Sequence, residues 1–318
     1  MRVFKAAHPV VVLFNARGDY LLNLPALRAL SHLFGERLTV ICRPYARHNF
    51  FPKLRLRGVC EPPTDFVGGR HVFAPEIVAD AVAPVDLVLS LNPWHDRVLD
   101  ELLAVLQPTW SMGYHDAFDQ RIPLDRNKHD MDQAFDLPRA LDDSLAIEDF
   151  ADPPDLLDEA ERIARELRSV VPQDCRLLAL HTETKPEKMW PAERFSAVLD
   201  WLLSRDPDLV VAEFGWEDAG LDYGRHSDRI VRCRLLPLPL AMAFVGTADL
   251  FLGVDSCFLH AADLFRVPSV GLFGPSRPHE FGFRFAPHRH VDGNGRMEAI
   301  MADSVIEAIE SLEEARSE

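Results

Sequence analysis

Apolar residues fall in short unbroken runs, and stretches of helical periodicity separate them. Residues 10–14, 38–42 and 85–91 form such runs in the first half, and 176–181, 209–214, 250–254 and 269–273 in the second. Runs this short and this apolar read as strands buried on both faces, the signature of a parallel sheet. Amphipathic stretches at 21–34, 101–106, 191–204, 238–246 and 256–265 read as the covering helices. Between the two series, residues 115–159 are rich in Asp, carry Pro138, Pro153 and Pro154, and lack strand patterning, which marks the approach to a boundary. The pattern predicts an α/β chain of two Rossmann-like domains, residues 1–155 and 156–300. A helix near 156–169 opens the second domain, and a polar amphipathic helix within 301–318 can pack on either one.

A length of 318 residues exceeds what one core usually supports, in agreement with two domains. Thirty-four Lys plus Arg stand against 50 Asp plus Glu, a formal charge of −16. That balance argues against general nucleic-acid binding, because phosphates would be repelled everywhere except at a local basic patch. Cys42, Cys60, Cys175, Cys233 and Cys257 are odd in number and form no C-x-x-C pair, so they signal neither a disulfide framework nor a zinc knuckle. The apolar run within residues 1–14 is too short for a secretory leader and reads as the first strand. No stretch approaches the roughly 20 apolar residues that a bilayer span needs. The expectation is a cytoplasmic protein with at most peripheral membrane contact.

The chain lacks G-x-G-x-x-G after a strand, a Walker A loop, H-E-x-x-H and G-x-S-x-G, which removes the main support for dehydrogenases, P-loop enzymes, zincins and α/β-hydrolases. Two D-x-D triplets exist. Asp206-Pro-Asp208 fits turn chemistry and Asp130-Met-Asp132 a charged segment, so no metal site and no cofactor is assigned. The strongest signal is Leu250 to Pro278: a strand ending at Asp255, a helix opening at Ser256, a second strand, then Gly274-Pro275-Ser276. Ligands of open α/β sheets bind at the carboxyl ends of strands, and a helix N-terminus there suits a diphosphate. His260, one turn into that helix, can reach a phosphate or simply pack. Lys188 precedes Pro191 on the same rim, where a cation offsets charge on a departing diphosphate; a solvated lysine is the plainer reading. Glu217 can accept from ribose hydroxyls or be a surface acid. Asp19, at the first strand-to-helix turn, reads equally as a helix cap and as a general base. Finally, Arg43, Arg47, Lys53, Arg55 and Arg57, interleaved with Tyr45, Phe50 and Phe51, make a basic stretch free of acids, which reads equally as a site for an anionic acceptor and as a solvated loop whose arginines pair with carboxylates elsewhere.

Asp255-Ser-Cys-Phe-Leu-His260 with Phe273-Gly-Pro-Ser276 resembles the Asp-[Ser/Thr]-Gly-x-x-His and Phe-Gly-Pro-[Ser/Thr] motifs of glycosyltransferase family nine, the bacterial heptosyltransferases. In the same order, Gly18-Asp19 with Pro25-Ala-Leu27 is similar to the family's Gly-Asp-x-[Leu/Val]-x-x-x-Pro-Ala-Leu, and Lys188 to Phe195 to its Lys-x-Trp-Pro-x-Glu-x-Phe. Gly215-Trp-Glu217 sits where the family places a Gly and a Glu near the nucleotide. Cys257 departs from the family's glycine. The resemblance implies a GT-B enzyme with its site in a central cleft. Its second domain would hold a nucleotide-diphosphate sugar such as ADP-heptose, and its first would present Asp19 and the acceptor. That acceptor would be a glycan, a lipopolysaccharide core or other lipid-linked sugar, or a small molecule. Transfer would invert the anomeric centre without a bound metal. An alternative is a non-catalytic nucleotide-sugar-binding GT-B protein that assists another transferase; intact Asp19 and Lys188 count against it. A GT-B epimerase would need a second carboxylate set, which is not evident.

Overall fold

A computed structural model describes residues 5–67 and 70–317. Residues 1–4 of the amino-terminal stretch lie outside that range. The chain divides into two compact units, Met1–Asp155 and Leu156–Glu318. Strands of the first unit are β1 (Pro9–Leu13), β2 (Thr39–Cys42), β3 (Gly58–Cys60), β4 (Asp65–Val67), β5 (Arg70–Val72), β6 (Leu87–Ser90), β7 (Trp110–Gly113) and β8 (Gln120–Arg121). The second unit has β9 (Arg176–His181), β10 (Leu209–Gly215), β11 (Ile230–Arg234), β12 (Leu250–Val254), β13 (Ser269–Phe273) and β14 (His288–Asp292).

Both main sheets are wound alike. Their orders are β3-β2-β1-β6-β7-β8 and β11-β10-β9-β12-β13-β14, all pairs parallel, with β4 and β5 forming a separate antiparallel pair. Each order reverses beside its first strand, so the loops after β1 and β6, and after β9 and β12, diverge and leave a crevice at the carboxyl edge.

The central strands β1, β2, β6, β9, β12 and β13 are the aliphatic runs visible in the sequence, and they are buried along their full length except for Arg176 at the start of β9. The outer strands carry few such residues: Gly58–Cys60, Gln120–Arg121, Ile230–Arg234 and His288–Asp292 are short, polar or half-exposed. An edge strand with one neighbour needs no apolar surface on both faces, which is why composition does not mark it. One of them, β8, lies inside the stretch 115–159 that was expected to hold no strand. The carboxyl-terminal helix Ala302–Ser317 packs on the helix Ala192–Arg205 and on β13 and β14, burying Val305, Ile309 and Leu312 in the second unit's core. Among the described residues, no helix is long and apolar enough to cross a membrane.

Buried polar groups fix the carboxyl edges. The Tyr20 hydroxyl donates to the Leu13 carbonyl at 2.9 Å and accepts from the Arg43 amide at 3.0 Å, which locks the ends of β1 and β2 together. Across the reversal, the Asn92 side chain accepts from the Phe14 amide at 3.0 Å. In the second unit the buried His181 ring lies 3.1 Å from the Phe214 carbonyl and 4.5 Å from the Phe258 ring centroid.

Burial pulls the His181 pKa down from 6.5 to about 4. The folded chain therefore holds His181 neutral while the unfolded chain protonates it below 6.5. Its contribution to stability is complete above pH 6.5, falls through the window down to about pH 4, and is flat below. The full loss is about 3 kcal/mol. Urea unfolding at pH 7 and pH 4.5 should show a smaller acid loss for His181→Gln than for the unmodified chain. Equal losses would remove His181 from the account.

Candidate active site

The second unit's carboxyl edge gathers most of the residues singled out in the sequence. Lys188 stands in the loop after β9 and Asp255 ends the run that follows β12, on either side of the reversal in strand order. Lys188 Nζ donates to Asp255 Oδ2 at 2.5 Å, and His260 Nε2 lies 3.8 Å from Asp255 Oδ1. Asp255 is only 6% exposed. Burial alone would raise its pKa, but His260, Lys188 and the Ser276 hydroxyl together outweigh it and hold the carboxyl below its ordinary range. The Thr184 hydroxyl donates to the Asp255 carbonyl at 3.0 Å. Asp255 thus ties the loop after β9 to the loop after β12.

Ser256 occupies the N-cap of the helix Cys257–Leu264 in an extended conformation, yet its hydroxyl caps nothing and meets no partner. Thr182, buried at the end of β9, likewise has an unpartnered hydroxyl. Hydroxyls left without partners at a helix N-terminus are available to an anionic ligand. Gly274 is required by packing, since a Cβ there would lie 2.6 Å from the Met297 sulfur and 2.8 Å from its amide nitrogen. Pro275 is exposed beside it.

Glu217 is exposed, and its own amide nitrogen donates to Glu183 at 2.6 Å. Glu183 also accepts from the Trp216 amide at 2.6 Å, so this carboxylate, absent from the sequence-based set, joins the loops after β9 and β10. Gly215 permits that approach: a Cβ there would lie 2.9 Å from the Glu183 carboxyl carbon. The Trp190 indole is buried and donates to the Ile300 carbonyl at 3.1 Å, packing edge-on against Phe195. Its flank, with Thr182, Met189, Ala219 and Leu221, lines an apolar cavity next to these loops. The only sequence signal for it was the Trp-Pro pair that opens the following helix.

In the first unit, Asp19 lies in the first turn of the helix Arg17–Leu22 and not at its cap. Its carboxylate folds back to accept from the Ala16 amide at 3.2 Å. Asn15, buried at the end of β1, has neither amide atom partnered. The four arginines do not form one patch. Gly58 pairs with Thr39 at the start of β2, so the chain between two parallel neighbours has to return to the opposite, amino edge. Arg43 and Arg47 stay at the carboxyl edge with Asp19, whereas Arg57 contacts His8 before β1 and the Arg55 carbonyl accepts from Ser31. Phe50 and Phe51 are fully buried, and Phe50 stacks on Tyr20 at 5.1 Å, so they belong to the core and not to a binding stretch. In Asp206-Pro-Asp208, Asp206 accepts from the Asp208 amide at 3.0 Å and pairs with Arg176 at 3.2 Å, which is turn chemistry at the edge away from the site.

Two Rossmann-wound units, with a charged, hydroxyl-lined carboxyl edge in the second, define the GT-B class of glycosyltransferases. The family model for glycosyltransferase family 9 (heptosyltransferase) matches residues 114–299, and the chain belongs to that family. Among solved structures, it is similar to a family 9 glycosyl transferase from Veillonella parvula (20% identity, 96% of this chain and 97% of that one, TM-score 0.76). It is also similar to ADP-heptose lipopolysaccharide heptosyltransferase II of E. coli (13%, 98% and 100%, 0.73) and to the E. coli heptosyltransferase WaaC with ADP (16%, 96% and 99%, 0.65). Among curated protein sequences, none matches.

The Lys188–Asp255 pair should show in stability. Lys188→Ala leaves Asp255 buried with less compensation and should destabilise the second unit more than Lys188→Ala does in an Asp255→Asn background. Chemical denaturation of the four proteins in this cycle should give a coupling of roughly 1–3 kcal/mol. Additive effects would mean that the pair is not coupled.

Proposed function

We propose that the chain transfers a heptose or related sugar from a nucleoside-diphosphate donor to an acceptor hydroxyl, with inversion and without a bound metal. The observation that carries this reading is Lys188 paired to buried Asp255 beside the unpartnered hydroxyls of Thr182 and Ser256, at the reversal point of the second sheet. The two E. coli structures, one named for ADP-heptose and one with ADP, favour an adenosine diphosphate donor. The diphosphate would take donors from Lys188, Ser256, Ser276 and His260 at the positive end of the helix Cys257–Leu264, with Gly274 and Pro275 shaping the loop. The cavity at Met189, Trp190 and Leu221 would take the base, and Glu217 the ribose hydroxyls.

Asp19 would accept the proton of the acceptor hydroxyl as its oxygen bonds the anomeric carbon. The electron pair of the breaking carbon–oxygen bond leaves with the nucleoside diphosphate. Lys188 and the helix end would offset the charge that develops there. The Ala16 amide fixes the orientation of the Asp19 carboxylate. Arg43 and Arg47, on the same edge as Asp19, would meet an anionic group of a glycan, lipid-linked or small-molecule acceptor. Arg55 and Arg57, at the other edge, are left out of the acceptor site.

A transfer assay with ADP-heptose, run in the presence of EDTA, tests the scheme. The unmodified chain should keep its rate in EDTA, and Asp19→Asn should lose about 100-fold in kcat while donor binding persists. Near-normal turnover by Asp19→Asn would remove the proposed base, and loss of rate in EDTA with rescue by a divalent ion would remove the metal-free account.

A further inference from the structure

A second cluster of chemically capable side chains stands apart from the donor loops, on the carboxyl edge of the first unit. His95 lies in the loop after β6, Asp100 in the helix Arg97–Leu106, and His115 in the loop after β7. His95 Nε2 is 2.7 Å from Asp100 Oδ2, and the ligand atoms of all three residues lie within 4.8 Å of one another. His115 is 9% exposed, yet neither of its ring nitrogens has a hydrogen-bond partner. A buried imidazole with two unsatisfied nitrogens is unusual, because each would ordinarily bond to protein or water. The Phe118 ring at 4.5 Å and the His95 ring at 4.9 Å, nearly perpendicular, hold the His115 ring in place.

We propose that His95, Asp100 and His115 bind one divalent first-row transition-metal ion, such as Zn²⁺ or Co²⁺. Two imidazoles and one carboxylate are the donor set that such ions prefer, whereas Mg²⁺ and Ca²⁺ prefer oxygen alone. A tetrahedral ion about 2.1 Å from each ligand separates the ligand atoms by roughly 3.4 Å. Three protein ligands leave one position for water or a ligand oxygen. The bound ion would clamp the loops after β6 and β7 on the same edge that carries Asp19. None of the residues assigned to the transfer step is among the ligands, so metal binding and transfer are separately measurable.

Titration of the full chain with Co²⁺, followed by visible d–d absorption, tests this. One equivalent should bind and be displaced by Zn²⁺, and Mg²⁺ should not compete. His115→Ala, Asp100→Asn and His95→Ala should each weaken binding about 10-fold or more, while His279→Ala, an exposed histidine of the second unit, should bind as the unmodified chain does. His95 is exposed, so its variant keeps the test valid if His115→Ala folds poorly, and circular dichroism checks each. Absence of a Co²⁺ complex in the unmodified chain, or full-strength binding by His95→Ala and Asp100→Asn, would overturn the proposal.

Discussion

A carboxylate that is 6% exposed stays ionised only if cations and hydroxyls surround it, and Asp255 has Lys188, His260 and Ser276 around it. The second unit's site depends on that arrangement. Lys188 and Asp255 come from loops that follow adjacent strands, β9 and β12, so the 2.5 Å contact bridges the point where the connections part. With one of its three protons committed to Asp255, the ammonium group is oriented and keeps two donors for a ligand. Without the pair, burial of Asp255 would be costly and the loop holding Lys188 would lose its tether.

The first unit repeats the same winding with different chemistry at the same edge. Tyr20 and Asn92 take up the backbone groups released where β1 and its neighbours end, and this leaves Asp19 and Asn15 at the mouth of the loop. One sheet order therefore produces two carboxyl edges, one lined with cation and hydroxyl groups and one with a carboxylate and amide. The proposed division between donor and acceptor follows from the side chains on those edges, since the sheets themselves are nearly equivalent.

Much of this was legible in the chain, for identifiable reasons. Strands buried on both faces advertise themselves as aliphatic runs, so most central strands could be read, while the interior β7 (Trp-Ser-Met-Gly) and polar edges such as β8 and β14 could not. The common edge of Lys188, Asp255, Ser256 and Ser276 was legible because each follows a recognisable strand, and parallel strands bring such positions to one edge. The arginine stretch was misread because linear proximity hides the return from the end of β2 to the start of β3, which carries Arg55 and Arg57 to the far edge. Glu183 and the His95–Asp100–His115 cluster were missed because their meaning lies in contacts between neighbouring loops. No spacing along the chain encodes those contacts. Glu217 lies in the loop after β10, and the carboxylate bonded to that loop's backbone is Glu183.

The central claim is that the edge around Lys188 and Ser256 recognises a diphosphate. Calorimetric titration with ADP and AMP, on the unmodified chain and on Lys188→Ala, tests it most directly. The account predicts that ADP binds about 10-fold or more tightly than AMP, the scale of one charge-assisted contact to the second phosphate, and that the gap narrows in Lys188→Ala. Equal affinities for ADP and AMP in the unmodified chain, or an unchanged gap in the variant, would contradict it.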